Sequence, residues 1–295
     1  MGPATAIARA SAGVEGGELD EAALERAEDE IAELERVGVR TIGYFDGDFP
    51  SRLKTISSSP AIIYVRGALP DESQPAVAVI GTREPTRFGR SAAEALTSAA
   101  AAEGLAIISG LALGIDTIAH EAALHSGART VAVLGSGLGN ISPRQNRDLA
   151  ERILSEGGAV ISEQPYLASP SPRSLVSRNR LQTGLSDALV VCQTGLTGGS
   201  LHTVRFAAEQ GRPIWVAEPR TDSEASEGNL ALIDRPAREL PALLAAWRGK
   251  EKLAERSGGD KPLARSVRSD SLGSWAKSLR ETRPQSKGDD SGKLF

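Results

Sequence analysis

What most constrains the fold of this chain is one unit that recurs: a short, wholly apolar run, a stop at glycine or serine, then a helix-forming stretch. Val77-Ala78-Val79-Ile80 halts at Gly81 ahead of a helix over Arg90–Ala102. Ala106-Ile107-Ile108 halts at Ser109-Gly110 ahead of Asp116–His125, and Thr130–Leu134 halts at Gly135-Ser136-Gly137 ahead of Asn146–Ser155. Ala159-Val160-Ile161 stops at Ser162-Glu163, Ala188–Cys192 leads through a glycine-rich turn to Ser200–Gln210, and Pro213–Ala217 closes the series. Runs this short, apolar at every position rather than at every second one, are strands buried on both faces. Alternating with helices, they predict an α/β domain with a mostly parallel sheet flanked by helices. Crossovers of that kind gather the turns along the carboxyl edge of the sheet, where such folds bind ligands.

The flanks read differently. Residues 1–17 are rich in Gly and Ala and read as a disordered N-terminus. Over Glu18–Val37, residues Leu19, Ala23, Leu24, Ala27, Ile31 and Leu34 keep helical spacing and predict one amphipathic helix. A short strand from Thr41, a turn at Asp46–Pro50 and a strand over Ala61–Val65 complete a preface spanning residues 18–67. The main domain occupies 68–247. Residues 248–295 are dominated by Ser, Gly, Lys, Arg and Asp, and read as a polar, disordered tail. Within that tail Trp275 is either idle or part of a short helix over Ser271–Leu279 that folds on a partner.

Composition narrows the function. The chain has 295 residues, 40% hydrophobic and 24% charged. Its longest apolar stretches, such as Ala76–Ile80, fall far short of the roughly 20 residues that cross a bilayer. No basic head with an apolar core stands at the N-terminus, so a cytoplasmic protein without a membrane partner is expected. The single cysteine, Cys192, excludes an internal disulfide and a cysteine-based zinc cluster, and reads as a small buried apolar residue. A net charge of −4 gives no whole-surface field for an anionic partner. Any anion site is therefore local, and Arg83, Arg87, Arg90, Arg144, Arg173, Arg178 and Arg180 stand close to the glycine-rich turns.

Those turns suit phosphate, because a glycine stop lets the next helix present unpaired amides and its positive dipole end. Gly81-Thr82-Arg83 adds a guanidinium, Ser109-Gly110 precedes a helix with Asp116 near its start, and Gly135-Ser136-Gly137 is either a cradle or a plain turn. Arg178-Asn179-Arg180 suits phosphate or base-edge contact, or else forms a solvated basic patch.

Taken in order, these motifs resemble the DNA-processing protein A (DprA, or Smf) family. The resemblance rests on Val79–Arg83; Ser109–Asp116 with Ala119-His120; Ala132–Leu138 with Pro143 and Asn146; Ser162-Glu163; and Arg178-Asn179-Arg180. Tyr44–Pro50 and Tyr64–Gly67 look like its entry segment, and the similarity runs over roughly residues 40–235. It implies an extended Rossmann-like fold. The activity implied is non-enzymatic: single-stranded DNA binding, homodimerisation and loading of a RecA-type recombinase during natural transformation, with no cofactor and no metal. By the same resemblance Gly81, Thr82, Arg83, Ser109, Gly110, Gly135, Ser136, Gly137, Arg178, Asn179, Arg180 and Ser200 would line the anion site. The chain departs from the family at Leu113, where a basic residue is usual, and at Leu175-Val176, which replace a Phe-Pro pair. Ser142 stands for a usual tyrosine, Glu218-Pro219 for Pro-Gly, and Asn229 sits one position early.

Two rivals share the fold. Gly198-Gly199-Ser200-Leu201-His202-Thr203 resembles the turn of nucleotide N-glycosidases of the lysine-decarboxylase-like superfamily, but Val204 and Arg205 stand where their glutamate belongs. A nucleotide-binding sensor would use the same amide cradle. The three histidines, His120, His125 and His202, lack metal-site spacing, and His120 reads as a hydrogen-bonded helix residue.

Overall fold

The computed structural model describes residues 3, 4, 7, 21–219, 224–234, 264–268 and 270–281. The apolar runs pair into one sheet. Its strands are β1 (Val39–Gly43), β2 (Ile62–Gly67), β3 (Ala76–Gly81), β4 (Ala106–Ser109), β5 (Thr130–Leu134), β6 (Ala159–Ser162), β7 (Ala188–Gln193), β8 (Ile214–Ala217) and β9 (Arg265–Val267). Their spatial order is β1-β2-β6-β5-β4-β3-β7-β8-β9. Contacts from β6 through β9 are all parallel, while β1 and β2 close the opposite edge antiparallel. The mostly parallel Rossmann-like sheet expected from the sequence is thus present.

The helices are α1 (Glu21–Arg36), α2 (Ser51–Lys54), α3 (Arg87–Ala102), α4 (Ile115–His125), α5 (Arg147–Ser155), α6 (Pro172–Ser177), α7 (Asn179–Gly184), α8 (Ser200–Glu209), α9 (Glu227–Asp234) and α10 (Leu272–Glu281). Strand alternation sorts the sheet's side chains between two layers. Ala76, Ala78 and Ile80 of β3 face Leu53, Leu181, Leu201 and Val204 from α2, α7 and α8. Val77 and Val79 face Ala93, Leu96, Ala100, Ile115 and Ala119 from α3 and α4. Both faces are therefore dry, which is why these strands carry no polar alternation.

The preface is not a separate layer. β1 and β2 extend the main sheet, and the Arg52 guanidinium joins α2 to its far side. Arg52 grips Asp187 through Nε at 3.2 Å and Nη2 at 3.1 Å, and donates to the Gln74 carbonyl at 2.8 Å. Asp187 in turn accepts from the Ala76 amide at 2.9 Å, so this largely buried pair ties α2 to the start of both β3 and β7.

The expectation of disorder at the ends needs correction. Pro3, Ala4 and Ile7 are helical, and Ile7 is buried against the layer that holds Ala27 and Leu34 of α1. The other residues of 1–17 lie outside the described set. In the 248–295 segment, β9 adds a parallel strand beside β8 and α10 packs on α3. Trp275 is 4% exposed, edge-on to Trp215 with centroids 6.5 Å apart, so this stretch folds on its own chain. Residues 248–263 and 282–295 lie outside the described set. Replacement of Trp275 by alanine is expected to cost about 3 kcal/mol, read as a lowered urea midpoint at unchanged slope; an idle residue would leave the midpoint where it was.

Candidate functional site

The strand order reverses between β3 and β7. From β3 the chain proceeds through β4, β5 and β6 to one side, then returns to β7 on the other, so the carboxyl ends of β3 and β7 part. Open α/β sheets place their ligands at such a switch point. Here a cavity of about 550 Å³ opens between them.

One wall is the turn after β3. A Cβ at Gly81 would lie 2.5 Å from Ile115 Cγ1, so glycine is what allows the strand to meet α4. The Thr82 amide donates to the Gln193 carbonyl at 2.8 Å, and the Thr82 carbonyl accepts from the Ile115 amide at 3.1 Å. Gly114, at φ +81°, lies where a Cβ would be 2.5 Å from the Thr82 and Arg83 carbonyl oxygens. This backbone clasp aims Arg83 into the cavity lining, where it is exposed and forms no ion pair with a described residue.

The facing wall is the turn after β7. Asn229, fully buried, donates from Nδ2 to the carbonyls of Cys192 at 3.1 Å and Ala217 at 2.8 Å, and its Oδ1 accepts the Thr194 amide at 2.7 Å. It therefore joins the ends of β7 and β8 and fixes the departure of Thr194. Gly195, Thr197, Gly198 and Gly199 then run along the cavity to α8, whose N-cap, Gly199, has no side-chain cap. The Ser200 and Thr194 hydroxyls lie 3.1 Å apart at that start. Uncapped first-turn amides and hydroxyls beside Arg83 make an anion-binding wall.

The floor is a gripped peptide. Arg178, 5% exposed, donates from Nη1 to the carbonyls of Gly110, at 2.6 Å, and Val133. Asp116 Oδ2 accepts the amides of Gly110 at 3.1 Å and Ala112 at 3.3 Å. With its amide oxygen turned inward, Gln182 accepts from the Gly110 amide at 2.9 Å and from Arg178 at 3.1 Å. A Cβ at residue 110 would lie 1.9 Å from Arg178 Nη1, so only glycine admits the guanidinium. Burial raises the Asp116 pKa, against the opposing pull of Arg178 and the amides. Burial lowers that of Arg178, and the Asp116 charge resists it.

Of the residues expected at the anion site, Gly81, Thr82, Arg83, Arg178, Asn179 and Ser200 line one cavity. The remaining expected residues do not line it. Ser109 Oγ donates to the Val79 carbonyl at 2.7 Å, below the floor, and Gly110 is covered by Arg178. The Gly135-Ser136-Gly137 turn is occupied by protein: Gly135 lies under Leu175, and the Gly137 amide donates to the Ala168 carbonyl at 2.9 Å. Arg180 forms a two-pronged pair with Glu163, at 2.7 and 2.5 Å, and donates to the Ser58 carbonyl at 2.8 Å. It is a structural strut. Removing it as Arg180→Ala strands a nearly buried carboxylate, for an expected loss of about 3 kcal/mol in denaturant unfolding; a solvated arginine would cost almost nothing.

Pro172, Leu175 and Val176 give the cavity an apolar side, whereas Leu113 is 39% exposed outside its lining. Gln182, Thr194 and Gly195 also line the cavity without belonging to any motif the sequence singles out; for Thr194 and Gly195 the glycine-rich turn after Cys192 is the one visible signal. Cys192 is buried and its thiol pKa is pushed up by burial, in keeping with an apolar role. No cluster of metal-ligating side chains occurs among the described residues, nor is any described helix long and apolar enough to cross a membrane.

His120 lies beneath this site as a core residue. Its Nδ1 meets the Thr130 hydroxyl at 2.8 Å, and that hydroxyl donates to the Ile107 carbonyl, so Nδ1 is the donor of the pair. Burial, aided by the Arg178 charge, lowers its pKa from 6.5 to about 3. The unfolded chain takes up this proton below pH 6.5 while the folded chain resists until about pH 3, so stability rises with pH across that window. His120→Gln is expected to flatten that limb in unfolding midpoints measured from pH 3 to 7; an unaltered limb would assign it to other groups.

The family model for DNA recombination-mediator protein A matches residues 40–244. Protein Smf of Synechocystis is 39% identical over 196 residues, covering 65% of this chain and 49% of that protein. The chain thus spans about half the length of that relative. The X-ray structure of DNA processing protein A from Streptococcus pneumoniae superposes with a TM-score of 0.62 at 30% identity, covering 74% of this chain and 77% of that one. A structure of DNA processing protein A from Helicobacter pylori, described for its single-stranded DNA binding mode, shares the fold at a TM-score of 0.62 and 24% identity, covering 83% and 97%. The chain belongs to the DNA recombination-mediator protein A family.

Proposed function

We propose that this family member binds single-stranded DNA through its sugar–phosphate backbone, in the crevice between the carboxyl ends of β3 and β7. The observation that carries the reading is the meeting of Arg83, which forms no ion pair with a described residue, with the uncapped amide end of α8 across one cavity. Phosphate needs both features: a charge-assisted fork and convergent amides. Asn179 and Ser200 add neutral polar contacts on the same surface. Delivery of the strand to a RecA-type recombinase, self-association as a homodimer and action in the cytoplasm complete the proposal, and rest on the family likeness.

Binding without turnover is the reading favoured over nucleotide hydrolysis. Asp116 is the carboxylate among the described lining residues, and its Oδ2 already accepts the amides of Gly110 and Ala112. Glu209 lies at the far end of α8, 3.6 Å from Arg205. Neither is free at the crevice to activate water.

Titration of a fluorescent single strand over a salt series tests the site. Arg83→Ala is expected to weaken binding at low salt and to reduce the salt slope by about one phosphate contact. An unchanged slope would remove Arg83 from the interface. A mononucleotide binding as tightly as the strand would favour a nucleotide sensor instead.

A further inference from the structure

A second cavity, of about 720 Å³, opens along the same carboxyl edge of the sheet. Its volume falls within the roughly 300–1,000 Å³ of small-molecule sites. Phe88, Ala92 and Ala95 of α3 form one side; Ala217 and Val267, the last residues of β8 and β9, form the other. At its lining Arg268 is held on Glu218 by two bonds of 2.8 and 3.0 Å, whereas Arg87 is exposed and forms no ion pair with a described residue.

This cavity shares a wall with the crevice. The Gln193 carbonyl accepts the Thr82 amide of the crevice lining, at 2.8 Å. Its side chain serves the other side: Oε1 accepts the Thr86 amide at 2.9 Å, and Nε2 donates to Ser226 Oγ at 3.1 Å. Thr86 and Ser226 both line the second cavity. Arg83 and Thr86 stand three residues apart on one loop, a span of at most about 10 Å.

On the reading of the crevice as a single-strand site, on which this inference rests, we propose that the second cavity takes a nucleobase of the strand whose phosphates lie in the crevice. Its apolar walls suit the faces of a base, while Ser91 and Arg87 at the lining can meet the base edge. Among the described residues no aromatic side chain lines the crevice itself: Leu175 and Val176 occupy its apolar side. A strand passing along the Arg83–Thr86 loop therefore finds its phosphates met on one side and an apolar recess on the other.

The test fills the cavity without touching the crevice. In the full chain, Ala95→Trp is expected to weaken binding of a fluorescent oligothymidylate about tenfold, with the salt slope unchanged because no phosphate contact is lost. The same strand with abasic positions should bind the unsubstituted protein about tenfold more weakly, and the filled variant no more weakly than the intact strand does. Ala95→Leu, a gentler filling, should show a smaller loss in the same direction if the tryptophan variant does not fold. Undiminished binding by a folded filled variant, or losses that add between variant and abasic strand, would overturn the base site. The crevice reading fails on a different result, an unchanged salt slope in Arg83→Ala, so the two failures are distinguishable. No binding by the unsubstituted chain at low salt would overturn both.

Discussion

The backbone of Gly110 is held from both sides, its carbonyl oxygen by the Arg178 guanidinium and its N–H by the Asp116 carboxylate. Much of the site depends on this grip. Arg178 reaches it from the junction of α6 and α7, and its second bond, to the Val133 carbonyl, brings the end of β5 into the same clamp. Asp116 reaches it from the first turn of α4, so the ends of two strands and the starts of two helices are coupled around one residue without a side chain. Each charge is out of water. Alone, either would carry a desolvation cost of several kcal/mol; together, with the peptide between them, they satisfy one another.

The walls of the crevice show the same economy of means. A buried amide, Asn229, fixes the turn after β7, while Gln193 fixes the turn after β3 through its carbonyl and the start of α3 through its side chain. Hydrogen-bonded backbone on both sides leaves Arg83 as an exposed charge on a fixed mount. Preorganised amides of this sort bind an anion without first paying to order a loop.

The strands were legible because strands buried on both faces leave no polar residue to blur their ends, and every one from β3 to β8 falls within a residue or two of its apolar run. β9 was not, since Arg265-Ser266-Val267 holds one apolar residue and owes its pairing to β8. α10 was partly legible: Leu272, Trp275, Ala276 and Leu279 keep the spacing of one helix face, but they stand in polar company. The site was half legible. Arg178 and Arg180 look alike in the sequence, yet two residues on a helical path point about 200° apart; one enters the clamp and the other turns to Glu163. Gly135-Ser136-Gly137 looks like its sister turns until the segment carrying Pro165 and Ala168 is laid over it, a tertiary event with no local signature.

The late strand β9 carries a consequence for how the molecule comes into being. Until residues 265–267 leave the ribosome, β8 is a bare edge with unpaired amides and carbonyls, and the α3 surface that α10 later covers stands open to water. Such an edge is a template for pairing with another chain. The sheet can assemble in the order of synthesis through β8, but β8 gains its outer partner only when residues 265–267 emerge, and the open edge then passes to β9, a strand of three residues that offers far less backbone for pairing.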